Sequence, residues 1–339
     1  MRHLGAAIVT ACALAGAASA EVRLLDWSDL YGWPEDDHSA ALAAFQTTCI
    51  DMKSGDWPAI CALASKNGDP RTYFETFFRP VLITDAAAAL FTGYFEPELL
   101  GSRQRSERFR FPLYRRPVDA PEDSPWLTRE QIETSGVLEN RGLEIAWLEN
   151  AVDKFFLQIQ GSGKIQLQEG GSVRVGYGGK NGHPYRSIGL ELVRRGIFEE
   201  HQVSAETIRR WVMRNPAMGA SLLWHNPSYV FFREVNQVPD DKGPLGAMNR
   251  SITAGRSIAV DPDFVPLGAP VWIEKDGALP IRRLMVAQDT GSAIKGAQRA
   301  DIFYGTGDEA GRTAGQVRDT GRLVILLPVG EAVALTAGN

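Results

Sequence analysis

The chain has no excess of basic residues: 36 lysines and arginines stand against 41 aspartates and glutamates, giving a formal net charge of -5. Proteins that bind nucleic acid neutralise phosphates with clustered cations, so we expect no nucleic-acid partner. Histidine and cysteine are also scarce, with five and three residues that form no cluster of metal-ligand spacing. We therefore expect no metal site and no cofactor.

Long apolar runs are missing beyond the first twenty residues, whereas a transmembrane helix needs roughly 20 consecutive apolar residues. Within those twenty, Met1-Arg2-His3 is a short basic start, residues 4–16 are apolar, and Ala18-Ser19-Ala20 is a small-residue cleavage site. This pattern predicts a signal peptide over residues 1–20 and export to the periplasm. Residues 9–12 loosely resemble a lipoprotein box, which leaves lipidation of Cys12 and association with the outer membrane open.

Cleavage after Ala20 would leave two cysteines, Cys49 and Cys61. An even pair in an exported chain predicts one structural disulfide. A catalytic or metal-binding role is the weaker alternative, because neither cysteine has a neighbouring histidine cluster.

The 339 residues, 44% of them hydrophobic, are enough for two or three domains. Helical spacing of apolar residues predicts a helical segment over 38–66, a further helix over 70–78, and two more helices over 187–195 and 204–215. Short apolar runs broken by glycine and proline predict the strands of a small β-barrel. After the last of the predicted helices, strands are expected again up to the C-terminus. The predicted barrel strands are 89–96, 109–114, 144–148, 155–161, 164–167 and 173–177.

Three aspartates in the last third of the chain are the main candidates for catalysis. Asp261 and Asp289 stand beside turn residues, in Val-Asp-Pro-Asp and Gln-Asp-Thr-Gly, and either could simply form a turn. Asp301 lies between Ala300 and Ile302 in an apolar strand, where an unpaired carboxylate costs several kcal/mol. Carboxylates gathered at one end of a barrel raise each other's pKa, so one of them can hold a proton and act as a general acid.

Two motifs carry candidate sugar-binding residues. Residues 92–97 form a strand end with aromatics beside an acid and supply Thr92, Tyr94 and Glu96, although a plain strand end would look the same. In the predicted strand 155–161, Gln158 and Gln160 would share one face, with Ser162 just beyond. Amides spaced in this way suit sugar hydroxyl and N-acetyl groups, and an exposed polar barrel face is the alternative.

The glycine-rich stretch 176–185 supplies two further candidates, Tyr177 and Tyr185. It matches neither phosphate-binding glycine pattern, so nucleotide binding is unsupported. Its tyrosines offer flat faces for pyranose rings, and its glycines would let the backbone approach a ligand closely. A tight loop without ligand is the alternative.

Five motifs in order resemble the membrane-bound lytic transglycosylase A family, and the last resembles its three-aspartate (3D) domain. The motifs are Phe-Thr-Gly-Tyr-Phe-Glu-Pro (91–97), Phe-Phe-Leu-Gln-Ile-Gln-Gly-Ser-Gly (155–163), Asn-Gly-His-Pro-Tyr-Arg-Ser-Ile-Gly (181–189), Asn-Pro-Ser-Tyr-Val-Phe-Phe-Arg-Glu (226–234) and the segment 288–303.

The resemblance implies a fold of mainly β class with helices, in which a double-psi β-barrel domain is interrupted by a smaller β-barrel domain. The larger domain would comprise residues 21–96 and 236–339, with residues 97–235 inserted. The substrate groove would lie between them.

The resemblance also implies an enzyme, a peptidoglycan lytic exotransglycosylase that leaves 1,6-anhydromuramoyl ends. Asp301 would act as acid and then base, and Asp289 and Asp261 would tune its pKa or order its loop. The expected partners are peptidoglycan glycan strands, with possible association with cell-wall synthesis proteins, and the chain is expected to be a monomer. Two alternatives stay open: a two-carboxylate glycoside hydrolase, and a non-catalytic peptidoglycan-binding protein on the same fold.

Overall fold

The computed structural model describes residues 20–66, 68–236, 238–239 and 242–337. Residues 1–19, with most of the predicted signal peptide and Cys12, lie outside the described residues. Among the helices that are described, none has the length and apolarity needed to cross a membrane.

A nine-stranded sheet, here called the large sheet, is built from both ends of the chain in the order β1-β2-β15-β11-β12-β10-β13-β3-β14. Most neighbouring strands are antiparallel, but β10–β12 and β13–β3 are parallel pairs. Its strands are β1 (Glu21–Leu24), β2 (Phe78–Thr84), β3 (Leu90–Glu96), β10 (Ser257–Val260), β11 (Pro270–Lys275), β12 (Ile281–Thr290), β13 (Arg299–Thr306), β14 (Arg318–Asp319) and β15 (Gly321–Pro328).

A six-stranded sheet, the small sheet, comes from the middle of the chain in the order β5-β6-β4-β7-β8-β9. Its two outer strands approach each other, so the sheet curls into a nearly closed barrel. Its strands are β4 (Glu98–Ser102), β5 (Phe111–Tyr114), β6 (Glu144–Leu148), β7 (Gly163–Leu167), β8 (Ser172–Lys180) and β9 (Val230–Glu234).

Helices pack around both sheets, and the predicted fold class, mainly β with helices and an inserted smaller barrel, is confirmed. The α-helices are α1 (His38–Cys49), α2 (Trp57–Leu63), α3 (Pro70–Phe77), α4 (Arg129–Thr134), α5 (Ala151–Gln160), α6 (Ile188–Arg194), α7 (Ala205–Arg214), α8 (Pro216–Trp224), α9 (Gly307–Ala314) and α10 (Val329–Ala337).

The main hydrophobic core lies between the large sheet and helices α1 to α3. Strands β11, β12 and β15 contribute nearly continuous apolar runs because both of their faces are covered, and aromatic rings from the helices fill the remaining space. Phe45, for example, contacts Trp57, Tyr73, Phe74 and Phe78. This core fixes the strands that carry the three aspartates.

The segment predicted as a strand over 155–161 is instead the second half of helix α5, and the prediction is wrong. Val152, Phe155 and Ile159 recur at the spacing of one helix face, and Gly161 ends the helix in the left-handed conformation at φ 76°. Over a few residues the alternation of apolar and amide side chains imitates a strand. The longer helical period decides the structure.

Strands do not continue unbroken to the C-terminus as predicted, because α8, α9 and α10 interrupt them. Asp308 and Glu309 lie in the first turn of α9. There their carboxylates are favourably placed against the positive end of the helix dipole.

A buried ion pair joins the two sheets where the chain passes between them. Glu96, the last residue of β3, is fully buried, and its Oε1 lies 2.8 Å from Nε of Arg174 on β8. Arg174 also donates to the carbonyls of Pro239 and Lys242 in the segment that returns to the large sheet. Thr306 Oγ1 donates to Glu96 Oε2. One guanidinium therefore holds both crossings of the chain.

Cys49 at the end of α1 and Cys61 in α2 are joined by a disulfide, with their Cα atoms 5.5 Å apart. By the chain-entropy estimate, closing a loop of this length stabilises the fold by about 3 kcal/mol. We expect reduction to lower the melting temperature by several degrees. Calorimetry with and without reductant measures this, and a Cys49→Ala/Cys61→Ala variant should not respond to reductant. Equal melting temperatures for the oxidised and reduced wild-type protein would contradict the expectation.

Candidate active site

Strand register brings two of the three aspartates into one row across the large sheet. Ala259 on β10 pairs with Asp289 on one side and with Asp301 on the other, and Asp301 pairs in turn with Thr92 on β3. Residues paired across strands point to the same face. Because neighbouring strands lie about 4.8 Å apart, the two aspartate Cα atoms are roughly 10 Å apart. The row presents two carboxylates to one surface.

Asp301 is partly exposed. Its Oδ1 accepts a hydrogen bond of 2.6 Å from Thr92 Oγ1, and Thr92 Oγ1 accepts one of 2.8 Å from Arg299 Nη2. Burial raises the pKa of Asp301, while the Thr92 hydrogen bond and the Arg299 charge oppose the rise. The net effect is a pKa of Asp301 above that of a free aspartate.

Asp289 is held by three hydrogen bonds. Tyr94 Oη donates to its Oδ2 at 2.8 Å, and the amides of Ala247 and Thr290 donate to its Oδ1 at 3.1 and 2.9 Å. Burial raises the pKa of Asp289 to about 6, these hydrogen bonds oppose that rise, and the charge of Asp301 adds to it. The pKa of Asp289 therefore stands above that of a free aspartate, and its carboxyl holds a proton at mildly acidic pH.

Asp261 lies immediately after β10 and is buried, with 2% of its surface exposed. It accepts hydrogen bonds of 2.9 Å from Lys295 Nζ and from the amide of Gly296. Burial alone would raise its pKa, but these donors hold the pKa below its usual value. Asp261 thus stays ionised and fixes the loop that leads into β13 and Asp301. It does not join the row of Asp289 and Asp301.

The different surroundings of Asp289 and Asp261 predict opposite effects of Asp→Asn. The folded-state pKa of Asp289 is about 6 against 3.8 unfolded, so its ionisation destabilises the fold as pH rises from 4 to 6. The free energy of unfolding of Asp289→Asn, relative to that of the wild-type protein, should therefore increase by about 1–3 kcal/mol between pH 4 and pH 7, allowing for solvent screening.

Asp261 has a lowered pKa, so its contribution is present above its unfolded pKa of 3.8 and is lost as pH falls through the folded value. Asp261→Asn should therefore be destabilising at pH 7. Urea unfolding of both variants at pH 4 and 7 measures these differences. Parallel pH dependence in the two variants would contradict the assignment.

The candidate residues of β3 have three different roles. Thr92 is partly exposed and donates a hydrogen bond to Asp301. Tyr94 is buried, and its hydroxyl donates a hydrogen bond to Asp289. Glu96 was predicted to bind substrate, but both of its oxygens are occupied by Arg174 and Thr306 at the junction of the sheets. This prediction is corrected: Glu96 is fully buried at the junction of the two sheets.

Gln158 and Gln160 do not share a face, because two residues along a helix differ by about 200°. Gln158 is buried and donates from Nε2 to the carbonyl of Val230 at 2.8 Å. Gln160 Oε1 accepts from the amide of Phe95 at 3.1 Å, and Ser162 is buried after the end of the helix. These side chains bind α5 to strands β9 and β3, so the predicted amide face for sugars is not formed.

Tyr177 and Tyr185 remain available to a ligand, with 53% and 40% of their surfaces exposed. The glycines near Tyr177 serve packing within the protein. A Cβ at Gly178 would lie 2.6 Å from the backbone of Phe232, and one at Gly179 would lie 2.4 Å from Cδ of Arg116. The glycines allow β9 and Arg116 to approach β8, while Tyr177 points outward.

Two arginines were missed by the sequence interpretation. Arg299 supports Thr92 and Asp301, and Arg174 binds Glu96. Arg174 stands in an apolar run, Val173-Arg174-Val175, where a charge needs a buried partner. A charged side chain in an apolar strand, the feature that marks Asp301, also marks Arg174.

Comparison with known proteins agrees with this arrangement. The model of the MltA specific insert domain matches residues 90–233, and that of the 3D domain matches residues 256–327. Membrane-bound lytic murein transglycosylase A of Vibrio cholerae is 34% identical over 273 residues, which cover 76% of this chain and 71% of the relative. The chain belongs to the MltA family.

Solved structures support the same family. A membrane-bound lytic murein transglycosylase from Agrobacterium tumefaciens superposes with a TM-score of 0.82 at 33% identity, covering 92% of this chain and 99% of that one. Escherichia coli MltA with bound chitohexaose has a TM-score of 0.73 at 28% identity, covering 94% and 97%. The MltA insert match falls on the small sheet and the strand that leads into it, and the 3D match contains all three aspartates.

Proposed function

We propose that this chain is a lytic transglycosylase that cleaves the β-1,4 bond between N-acetylmuramic acid and N-acetylglucosamine in peptidoglycan. The observation that carries the proposal is Asp301: it is partly exposed, its pKa is raised by burial, and Thr92 and Arg299 stabilise its ionised form. Membership of a family whose members are named lytic murein transglycosylases supports the substrate class.

In the proposed mechanism, protonated Asp301 donates its proton to the glycosidic oxygen as the bond to C1 of the muramoyl residue breaks. The acetamido group of the substrate stabilises the positive charge at C1. The Asp301 carboxylate then removes the proton from the muramoyl C6 hydroxyl, whose oxygen bonds to C1 and closes the 1,6-anhydro ring. Intramolecular attack needs neither an enzyme nucleophile nor an activated water.

Arg299 and Asp289 have supporting roles in this mechanism. After the first proton transfer Asp301 is negatively charged, and Arg299 stabilises that charge through Thr92. Asp289, with its pKa of about 6, stays largely neutral at mildly acidic pH and so does not repel the newly formed carboxylate. Asp261 keeps the loop before β13 in place.

We place the glycan strand on the face of the row, between the large and the small sheet. Tyr177 supports this placement, because its carbonyl accepts from Arg233 Nε at 3.3 Å and Arg233 Nη2 donates to Asn249 Oδ1 at 2.7 Å. Asn249 lies in the same loop as Ala247, whose amide binds Asp289. A short chain of contacts thus leads from the exposed tyrosine to the carboxylates. The chitohexaose complex of the E. coli protein shows that a relative binds such a sugar chain.

A second candidate is a hydrolase that uses Asp301 as acid and Asp289 as base. The observation in its favour is that two carboxyls with raised pKa values stand two strands apart in one row. An inverting hydrolase needs its carboxyls about 6.5–9.5 Å apart, with a water between them and the sugar. Tyr94 and two backbone amides already occupy Asp289, which favours the transglycosylase.

Digestion of purified sacculi by the mature protein separates the candidates. A transglycosylase releases muropeptides with anhydro ends, a hydrolase releases the same muropeptides heavier by one water, and a binding protein releases none. Mass spectrometry of the products decides among them. Anhydro products that require Asp301 are the result we expect.

We further propose that residues 1–20 direct export and that the mature enzyme works in the periplasm, where its substrate lies. The domains would be residues 21–96 with 236–339, and residues 97–235. The names of the relatives include the words membrane-bound, and fractionation of cells expressing the full chain would show whether this protein sediments with the outer membrane.

A further inference from the structure

The loop over residues 244–251, here called the bridging loop, connects the small sheet to Asp289. It is closed by a bridge between Leu245 and Ser251, and Asn249 within it has a positive φ of 56°. The amide of Ala247 donates to Asp289 Oδ1 at 3.1 Å. The loop therefore supplies one of the donors that hold the carboxylate.

Two arginines hold the bridging loop from opposite sides. Arg250 forms a two-point ion pair with Asp51, just beyond α1, at 2.7 and 3.0 Å, so one anchor belongs to the same domain as Asp289. Arg233 of β9 donates to Asn249 Oδ1 at 2.7 Å. The second anchor therefore comes from the small sheet.

We propose that Arg233 is a positioning residue: through Asn249 it holds the bridging loop so that the amide of Ala247 stays on Asp289. The inference rests on the proposed function for its relevance to catalysis, since it makes the state of Asp289 depend on how the small sheet sits against the large one. A glycan strand that moved the sheets relative to each other would thereby act on Asp289 without touching it.

The groups that face Asp289 allow a clear expectation for the loss of this contact. They are the Tyr94 hydroxyl from β3, Asp301 from β13 and the amides of Thr290 and Ala247, while neighbouring β10 presents only Ala259 at this level of the sheet. The Ala247 amide stabilises the ionised carboxylate. Weakening this hydrogen bond should raise the pKa of Asp289.

The test is titration of Asp289 by carbon-detected NMR of the carboxyl groups in the whole mature protein, with the signal assigned by its absence in Asp289→Asn. Arg233→Ala should raise the pKa by about half a unit or more. Asn249→Gly should do the same, because glycine tolerates positive φ and only the side-chain acceptor is lost. The double variant should shift no further than either single one. Arg233→Lys should raise the pKa of Asp289 less than Arg233→Ala does.

Arg209→Ala is the matched control, because Arg209 is an exposed arginine of the inserted segment that pairs with Asp153, also within that segment. It should leave the titration of Asp289 unchanged. The inference is overturned if folded Arg233→Ala titrates like the wild-type protein, if only Asn249→Gly shifts, or if Arg209→Ala shifts as well. The titration needs no turnover, so inactivity of the wild-type protein on sacculi would overturn the proposed function alone.

Discussion

Asp301→Asn should abolish turnover of sacculi while leaving glycan binding intact. The amide keeps the size of the side chain but has no acidic proton to donate and cannot serve as a base, so both proton transfers are lost. General acid–base catalysis by a positioned side chain contributes roughly a hundred- to ten-thousandfold, and a loss of about a thousandfold or more is expected. Rates of muropeptide release and calorimetric titration with chitohexaose measure the two properties separately.

Asp308→Asn provides a matched control for this variant. Asp308 is an exposed aspartate in the first turn of α9, the helix that follows β13. Its replacement should leave turnover within about twofold of the wild-type rate, because within the described part of the chain Asp308 forms no hydrogen bond or ion pair with the row or with Thr92 and Arg299. Wild-type-like turnover in Asp301→Asn, with correct folding, would remove Asp301 from the mechanism.

Arg174→Met should cost about 3–5 kcal/mol of unfolding free energy, the usual loss when one partner of a buried ion pair is removed. Methionine fills much of the space but leaves the carboxylate of fully buried Glu96 without its guanidinium partner. It also leaves the carbonyls of Pro239 and Lys242 without their donor. Urea unfolding of the mature protein measures the loss.

Two further variants separate the ion pair from a general effect of removing arginine. Arg209→Met breaks an exposed pair and should cost less than about 1 kcal/mol. Glu96→Gln combined with Arg174→Met removes the charge that Arg174→Met leaves unpaired on Glu96. The double variant should therefore recover part of the lost unfolding free energy. If Arg174→Met and Arg209→Met were equally stable, the ion pair would not be what joins the sheets.

How far the site could be predicted from the sequence depends on the residue. Asp301 was predictable because a carboxylate between Ala300 and Ile302 in an apolar strand requires either a partner or a proton. The structure supplies both conditions, with Thr92 beside it and a raised pKa. Arg174 between Val173 and Val175 is likewise a charge in an apolar run, so its buried partner was predictable on the same physical ground.

Other features needed the fold. Asp289 and Asp301 meet only because both of their strands pair with Ala259, one in parallel and one antiparallel, and no local pattern encodes that register. Asp261 resembles them in sequence, yet its partners Lys295 and Gly296 hold its pKa below the usual value, and its carboxylate supports a loop. Three similar aspartates therefore have two different kinds of role.

The amide residues show where a short pattern misleads. Gln158 and Gln160 alternate with apolar residues as in a strand. Val152, Phe155 and Ile159, however, recur at the spacing of one helix face, and Gly161 follows at the position where helices end. Reading the longer window would have favoured the helix. The wrong strand prediction placed Gln158 and Gln160 on a sugar-binding surface, whereas both side chains form hydrogen bonds within the protein, to Val230 and Phe95.

The most direct test of the central claim is digestion of sacculi in water labelled with heavy oxygen. If Asp301 directs the muramoyl C6 hydroxyl onto C1, the new anhydro ends contain no oxygen from solvent, and the products have the same mass in labelled and ordinary water. If the enzyme instead activates a water, each new end is a reducing end that carries one labelled oxygen. Unlabelled anhydro ends are the predicted result, and labelled reducing ends would contradict the mechanism.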